Sequence, residues 1–130
     1  MDAPPPSLAP GIERTDEFTV EGRLVTNVGG TIEASVLSTP GMISAMEGSA
    51  TALAYQHLPE GWATVGFEVC VKHVAAAAKG TTCRVRATLR EVEERKLRFE
   101  VEVTEGERTI GIGTHERRIV EADRLGSQDA

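Results

Sequence analysis

Residues 40–56 read PGMISAMEGSATALAYQ, and their apolar side chains recur at helical spacing. Pro40 suits the first turn of a helix, where its missing N–H group is not needed, and Thr39 before it is a typical N-cap residue. Pro59 and Gly61 end the pattern. One face carries a smooth stripe of mostly small side chains: Met42, Ala45, Met46, Ser49 and Leu53. This segment is the one helix that the sequence predicts.

Beyond the helix, the hydrophobic period changes to the two-residue period of a β-strand. Residues 62–74 place four apolar side chains on one face: Val65, Phe67, Val69 and Val71. His73 falls on the same face. Residues 82–92 and 96–104 repeat the alternation, with one apolar and one charged face each. Together they predict a hairpin whose turn lies near Glu94.

The polar face of this hairpin and the last strand lead to two further predictions. A turn near Glu94 brings Arg86 opposite Glu102, and such pairs of opposite charge stabilise a solvated sheet surface. The last strand, residues 108–121, contains Gly111 and Gly113. Glycine inside a strand indicates close approach by another backbone, for which the helix is the candidate.

The order of the elements predicts the architecture. Residues 15–20 favour a first strand, and residues 21–38 a loop with a short strand near 23–26. One helix and four long strands follow. The prediction is an α+β chain with the hotdog fold, an antiparallel sheet of about five strands wrapped around one central helix. Since one helix leaves sheet edges and apolar surface uncovered, we expect a homodimer.

The length of 130 residues allows one domain. Four prolines make residues 1–10 a disordered, solvated N-terminal tail, residues 11–122 form the domain, and residues 123–130 form a flexible C-terminal tail. The start of the chain lacks the apolar run of a secretory signal, so we expect a cytoplasmic protein. Cys70 and Cys83 are expected to be reduced core thiols.

Charge and motifs exclude several partners and cofactors. A net charge of −6 without a cluster of basic residues argues against nucleic acid, and the absence of a long apolar run argues against a membrane. The sequence contains no metal-ligand spacing, Gly-rich phosphate loop or GxSxG elbow. We therefore expect no cofactor.

Three short segments carry a family resemblance. They are residues 38–47 (STPGMISAME), 69–76 (VCVKHVAA) and 113–117 (GTHER). In this order and spacing, the segments resemble the hotdog thioesterase family that includes fluoroacetyl-CoA thioesterase. The resemblance covers roughly residues 36–121. It implies hydrolysis of a small or medium acyl-CoA to the free acid and coenzyme A, with coenzyme A entering as part of the substrate.

The resemblance also implies a catalytic set of Thr39, Glu47 and His73. His73 is expected to act as general base, Glu47 to activate water or orient His73, and Thr39 to act as nucleophile or positioning group. Substrate-binding residues are expected at Gly41, Met42, Gly66 and Arg117. Backbone N–H groups near Gly41, at the positive end of the helix, would polarise the thioester carbonyl.

Each of these residues also has a structural interpretation. Thr39 is a good helix cap in any protein, Glu47 lies on the flank of the buried stripe, and a histidine on an apolar strand face is commonly structural. A regular helix separates Thr39 from Glu47 by about 12 Å of rise, so a long reach, a later helix start or a second subunit is needed. His57 and His115 have weaker cases, the first as a cation at the helix end and the second as a strand surface residue.

The resemblance ends at the loop before the helix. The fluoroacetyl enzyme closes its acyl pocket with aromatic residues there, whereas residues 21–38 contain no Phe, Tyr or Trp. Fluoroacetyl specificity is therefore not implied for this chain. Two other functions remain open: a non-catalytic hotdog module that binds acyl-CoA or a protein, and an enoyl-CoA hydratase. The hydratase is disfavoured because no Asp occurs between Asp16 and Asp123.

Overall fold

The computed structural model of the chain describes residues 1–127. In chain order the elements are β1 (Glu13–Thr19), a 3-10 turn (Gly22–Leu24), β2 (Val25–Thr26), β3 (Val36–Leu37), α1 (Thr39–Tyr55), β4 (Trp62–His73), β5 (Thr82–Glu93), β6 (Lys96–Glu105), β7 (Arg108–Glu121) and α2 (Ala122–Ser127). The long strands form one antiparallel sheet in the order β1-β5-β6-β7-β4, and β2 pairs with β3. With α1 packed on its inner face, this sheet is the predicted hotdog arrangement.

The core lies between α1 and the inner face of the sheet. The predicted alternation of the central hairpin is confirmed, because its apolar positions are buried: Cys83, Val85, Ala87, Leu89, Leu97, Phe99, Val101 and Val103. A side chain at Gly111 would collide with Met42 of α1, and one at Gly113 with the backbone of β4. Close approach at both glycines is thus confirmed, to a helix side chain in one case and to the neighbouring strand in the other.

The outer face of the sheet is charged. Arg86 pairs with Glu102 in the sheet register, and its Nη2 donates to Glu102 Oε1 over 3.0 Å, as predicted. Glu94 turns the chain with a positive φ of 56°. The ion pair between Arg86 and Glu102 is exposed and stabilises the fold by at most about 1 kcal/mol. Its main effect is to keep this face of the sheet, opposite the core, polar and solvated.

The start of α1 differs from the prediction by one residue. Ser38, not Thr39, is the N-cap: it has an extended backbone, and its Oγ accepts a hydrogen bond of 2.9 Å from the N–H of Gly41. Thr39 is the first residue of the helix. Both side chains are good caps, so residue type alone does not distinguish them. The consequence is that the helix does not use the hydroxyl of Thr39.

A β-bulge corrects the predicted face of β4. The register with β7 shifts between Gly66 and Glu68. Because an extra residue inverts the alternation of side chains, Val65 and Phe67 do not share a face with Val69 and Val71. The ring of Phe67 instead lies against the guanidinium of Arg118, at 3.8 Å from the ring centroid. His73 lies after the bulge and stays in phase with the two inner valines.

β4 is an edge strand of 12 residues. All five residues from Gly66 to Cys70 are exposed, including Phe67 at 61% and Val69 at 38%. Exposure on both faces leaves the middle of this strand uncovered by its own chain. Cys70 belongs to this run and is not a core thiol, whereas Cys83 is buried as predicted.

Both ends of the chain carry structure where tails were predicted. Within residues 1–10, Leu8 is only 3% exposed and belongs to the core, and Arg95 donates to the carbonyl of Met1 over 3.2 Å. At the other end, α2 occupies part of the predicted C-terminal tail, and residues 128–130 lie outside the described residues. The domain limits of 11 and 122 stay predictions.

No helix among the described residues is long and apolar enough to span a membrane.

Candidate active site

Two of the predicted site residues meet where α1 begins and β4 ends. Thr39 Oγ1 lies 2.8 Å from His73 Nδ1, a hydrogen bond between residues of one chain. The hydroxyl is available for this bond because Ser38 caps the helix in its place. When the ring is protonated at Nε2, the Thr39 hydroxyl donates to Nδ1. This geometry lets the imidazole receive the proton of the hydroxyl.

The other ring nitrogen of His73 has no partner. Among the described residues, Nε2 is the one buried side-chain polar atom without a hydrogen bond. A buried polar group without a partner is costly, and nearly all such groups in folded proteins are satisfied. Nε2 therefore marks a position where a further polar group is needed.

A shallow, open cleft lies beside His73. It has a volume of about 280 Å³ and is lined by Val36, Leu37, His73, Val74, Ala75 and Ala76. Apart from the imidazole, its side chains are small or aliphatic. Such a lining suits an apolar group whose reacting end lies against the histidine.

Glu47 lies in a second cluster, two turns further along α1. Its Oε2 is 3.8 Å from Nη1 of Arg117. A Cβ atom at Gly66 would lie 3.2 Å from the same carboxylate oxygen, so the glycine leaves room for it. Glu47 is 42% exposed, whereas Arg117 is 8% exposed. Arg117 thus contacts the carboxylate on its buried side, and the other side of the carboxylate stays accessible to solvent.

Arg117 is fixed by three further contacts. Its Nε donates to Thr64 Oγ1 over 2.7 Å, its Nη2 donates to the Thr64 carbonyl over 3.0 Å, and its Nη1 lies 3.2 Å from His115 Nε2. Burial lowers the pKa of the Arg117 guanidinium, and the Glu47 carboxylate opposes that shift. The predicted substrate-binding role of Arg117 stays a prediction.

His115 was missed by the sequence interpretation, which placed it on the strand surface. It is 1% exposed and lies near Phe99 in the core. The signal was present: by strand alternation, Gly111, Gly113, His115 and Arg117 share one face. Since close approach was predicted at the glycines, that face is the inner one.

The three predicted catalytic residues do not meet within one chain. Glu47 lies beside Gly66, seven residues before His73 on β4. At about 3.3 Å per residue, this stretch of strand is roughly 20 Å long, beyond the reach of a glutamate side chain. One chain therefore presents Thr39 with His73 at one place and Glu47 with Arg117 at another.

Gly41 has a packing role that the sequence did not predict, whereas the burial of Met42 in the helix stripe is as predicted. A Cβ at Gly41 would lie 2.8 Å from the carbonyl oxygen of Leu24, and Met42 is fully buried. The Gly41 N–H already donates to Ser38, so it is not free to polarise a carbonyl. Among residues 1–127, no group of His, Cys, Asp and Glu is placed to hold a metal ion.

Comparison with known proteins relates the chain to one family. A family model described as fluoroacetyl-CoA-specific thioesterase matches residues 20–123. The fluoroacetyl-CoA thioesterase of Streptantibioticus cattleyicolor is 34% identical over 93 residues, which cover 72% of this chain and 67% of that protein.

Solved structures of similar fold point to the same family. A fluoroacetyl-CoA thioesterase structure superposes with a TM-score of 0.85 at 28% identity, covering 93% of this chain and 94% of the other. A thioesterase superfamily member from Thermus thermophilus has a TM-score of 0.84 at 25% identity, covering 94% and 90%. A hot-dog-like protein from Thermanaerovibrio acidaminovorans shares the fold, with a TM-score of 0.86 at 24% identity, covering 95% and 92%.

Proposed function

The chain belongs to the fluoroacetyl-CoA-specific thioesterase family, and from this membership we infer that it hydrolyses the thioester of an acyl-coenzyme A to a free acid and coenzyme A. The hydrogen bond between Thr39 and His73 beside the cleft is the observation that links this function to particular residues. We propose Thr39, His73 and Glu47 as the catalytic set.

The proposed site is shared between two subunits. β4 is a long edge strand whose middle is exposed on both faces, and unpaired edges of this kind favour pairing with another chain. Antiparallel pairing of two β4 strands joins two sheets into one. A homodimer formed in this way also covers Phe67 and Val69.

The two-fold axis of such a dimer brings the separated clusters together. If it crosses β4 at Cys70, Val69 of one subunit comes opposite Val71 of the other, and both side chains lie on the inner face, as antiparallel pairing requires. The bulge leaves Phe67 unpaired, so Gly66 of one subunit then comes opposite His73 of the other. Glu47, which lies beside Gly66, then approaches the partner's His73. This carboxylate is the proposed partner of Nε2 of His73, which has no partner among the described residues. Because its own chain covers Nε2, a small rotation of the imidazole must accompany the contact.

The proposed mechanism follows from these contacts. His73 Nδ1 takes the proton of the Thr39 hydroxyl as Oγ1 forms a bond to the thioester carbonyl carbon, and Glu47 of the partner subunit accepts from Nε2–H and stabilises the imidazolium. The C–S bond then breaks, and the thiolate of coenzyme A takes the proton from Nδ1. Water attacks the acyl-threonine ester with His73 again as base, which releases the acid and restores the hydroxyl. The proposed steps use only these side chains and water.

We propose small or medium acyl groups as substrates. A cleft of about 280 Å³ beside His73 has room for a short chain, and no aromatic side chain in residues 21–38 narrows it further. A series of acyl-CoA chain lengths, with fluoroacetyl-CoA and acetyl-CoA included, tests this preference by kcat/KM.

We also propose a cytoplasmic location, which the two free cysteines support.

Subunit mixing tests the shared site. We expect homodimers of Glu47→Gln and of His73→Ala each to lose about 10² or more in kcat, whereas a heterodimer of the two has one complete site. Random reassortment gives one heterodimer in two, so about a quarter of wild-type turnover returns. The matched control mixes Thr39→Ala with His73→Ala, where both lesions fall on the same half of the site and no activity returns.

The mixing experiment has two outcomes that contradict the proposal. Recovery in the Thr39 and His73 mixture would mean that these residues act from different subunits. No recovery in the Glu47 and His73 mixture, with heterodimers present by mass spectrometry, would mean that the site is not shared. In either case the catalytic set would have to be reassigned.

A further inference from the structure

The inner face of β7 contains two linked hydrogen bonds of His115, which lead through Arg117 to an ion pair with Glu47. The first is at the β-bulge of β4, where the carbonyl of Glu68 lies 2.8 Å from His115 Nδ1. The second joins His115 Nε2 to Nη1 of Arg117 over 3.2 Å. The same Nη1 faces the carboxylate of Glu47 at 3.8 Å.

The direction of each bond is determined by chemistry. A carbonyl oxygen only accepts, so His115 must carry its proton on Nδ1, and a guanidinium only donates, so Nε2 must be the acceptor. His115 is therefore neutral and held in one tautomer. Burial lowers the pKa of His115, with the nearby Arg117 charge acting in the same direction, which agrees with a neutral ring at pH 7.

The guanidinium of Arg117 is held from two sides. Thr64 accepts at Nε and Nη2, and His115 accepts at Nη1. Since Nη1 is the nitrogen nearest Glu47, the imidazole directs the donor that faces the carboxylate. At 3.8 Å the contact with Glu47 is an ion pair and not a short hydrogen bond, which leaves the carboxylate oxygens free to accept from another donor.

We propose that His115 is a positioning residue, which acts through Arg117 to hold the Glu47 carboxylate in the direction that the partner's His73 requires. The proposal rests on the proposed function, because it assumes that Glu47 takes part in the reaction. His115 itself does not touch the substrate.

Two substitutions separate the two bonds of the imidazole. The amide of His115→Gln reaches the place of Nε2 and can accept from Arg117, whereas the amide of His115→Asn reaches only the place of Nδ1 and keeps the bond to Glu68. We expect His115→Asn to lower kcat by about tenfold to a hundredfold with KM little changed, the scale of a small misplacement of a reacting group. We expect His115→Gln to retain kcat within about threefold. A small loss is expected because the amide oxygen is a weaker hydrogen-bond acceptor than the imidazole nitrogen.

A double-mutant cycle with Arg117→Met tests whether the effect passes through Arg117. In that background, His115→Asn should cause no further loss of kcat. The same factor of loss in both backgrounds would overturn the proposal, as would equal losses in the Asn and Gln variants. Thermal unfolding of each variant separates these effects from a loss of folded protein.

The tautomer of His115 can be read in the wild-type protein, independently of activity and of any variant. Nitrogen-15 shifts of the imidazole should show a protonated Nδ1 and an unprotonated Nε2 at neutral pH. The opposite tautomer would overturn the proposal. Wild-type turnover in Glu47→Gln would instead contradict the proposed function, and the tautomer measurement would distinguish the two failures.

Discussion

Substitution of two adjacent residues, Ser38 and Thr39, should separate helix capping from chemistry. Ser38→Ala removes the hydrogen bond to the N–H of Gly41. Loss of an N-cap costs about 1 kcal/mol of folding free energy, which for a chain of this size lowers Tm by roughly 3–5 °C. Thr39 keeps its bond to His73, so turnover should stay near wild type.

Thr39→Ala should have the opposite effect. It removes the hydrogen bond to His73, a net loss of about 1 kcal/mol, but alanine is favoured over threonine inside a helix by roughly 0.5 kcal/mol. These changes partly offset each other and leave a net loss of roughly 0.5 kcal/mol, so Tm should fall about half as far as in Ser38→Ala. The nucleophile is lost, and kcat should fall by about 10² or more, or at least about 2.7 kcal/mol of transition-state stabilisation.

The assay is release of coenzyme A followed with a thiol reagent, alongside thermal unfolding of each variant. Ser38→Asp is the matched control, because aspartate caps a helix as well as serine, and it should restore Tm. The reasoning is refuted if Thr39→Ala loses as much stability as Ser38→Ala, or if it keeps wild-type turnover.

Three further predictions follow from the described contacts. Gly66→Ala introduces a Cβ at 3.2 Å from Glu47 Oε2; we expect a folded protein with reduced kcat, and unchanged kinetics would contradict the placement of Glu47 beside Gly66. Leu8→Ala removes a side chain that is 3% exposed and should cost about 2 kcal/mol or more in urea unfolding, whereas a disordered tail predicts no change. Because the pKa of His115 is lowered in the folded state, the unfolded chain binds more protons below about pH 6.5. Stability should therefore fall as the pH drops through that range, and it should fall less steeply in His115→Gln. Thermal unfolding at several pH values measures this dependence. The same dependence of Tm on pH in both proteins would contradict a buried neutral imidazole.

The fold was predictable because periodicity reports which side of an element meets the core. The change from helical spacing in residues 40–56 to strict alternation after residue 62 is a local property of the chain. It predicted α1, the central hairpin with Arg86 opposite Glu102, and the close approach at Gly111. The same logic failed on β4, since one extra residue at the bulge near Phe67 inverts the alternation, and a sequence does not mark where a strand adds a residue.

The identity of the N-cap also lay beyond the sequence. Ser38 and Thr39 are equivalent candidates by residue type, and which of them caps α1 depends on where the backbone enters the helix from β3. This one-residue difference leaves the hydroxyl of Thr39 for His73. It is a tertiary effect with a direct chemical consequence.

The sequence by itself determined the family, the fold class and the identities of Thr39, Glu47 and His73 as candidate residues, because motif spacing and hydrophobic period are written along the chain. Only the tertiary structure decided which of them meet. Thr39 joins His73, while Glu47 lies roughly 20 Å away along β4 with Arg117 and His115 behind it. The reason is physical: contacts between side chains that are distant in sequence depend on how a helix crosses a sheet, and no local pattern encodes that crossing.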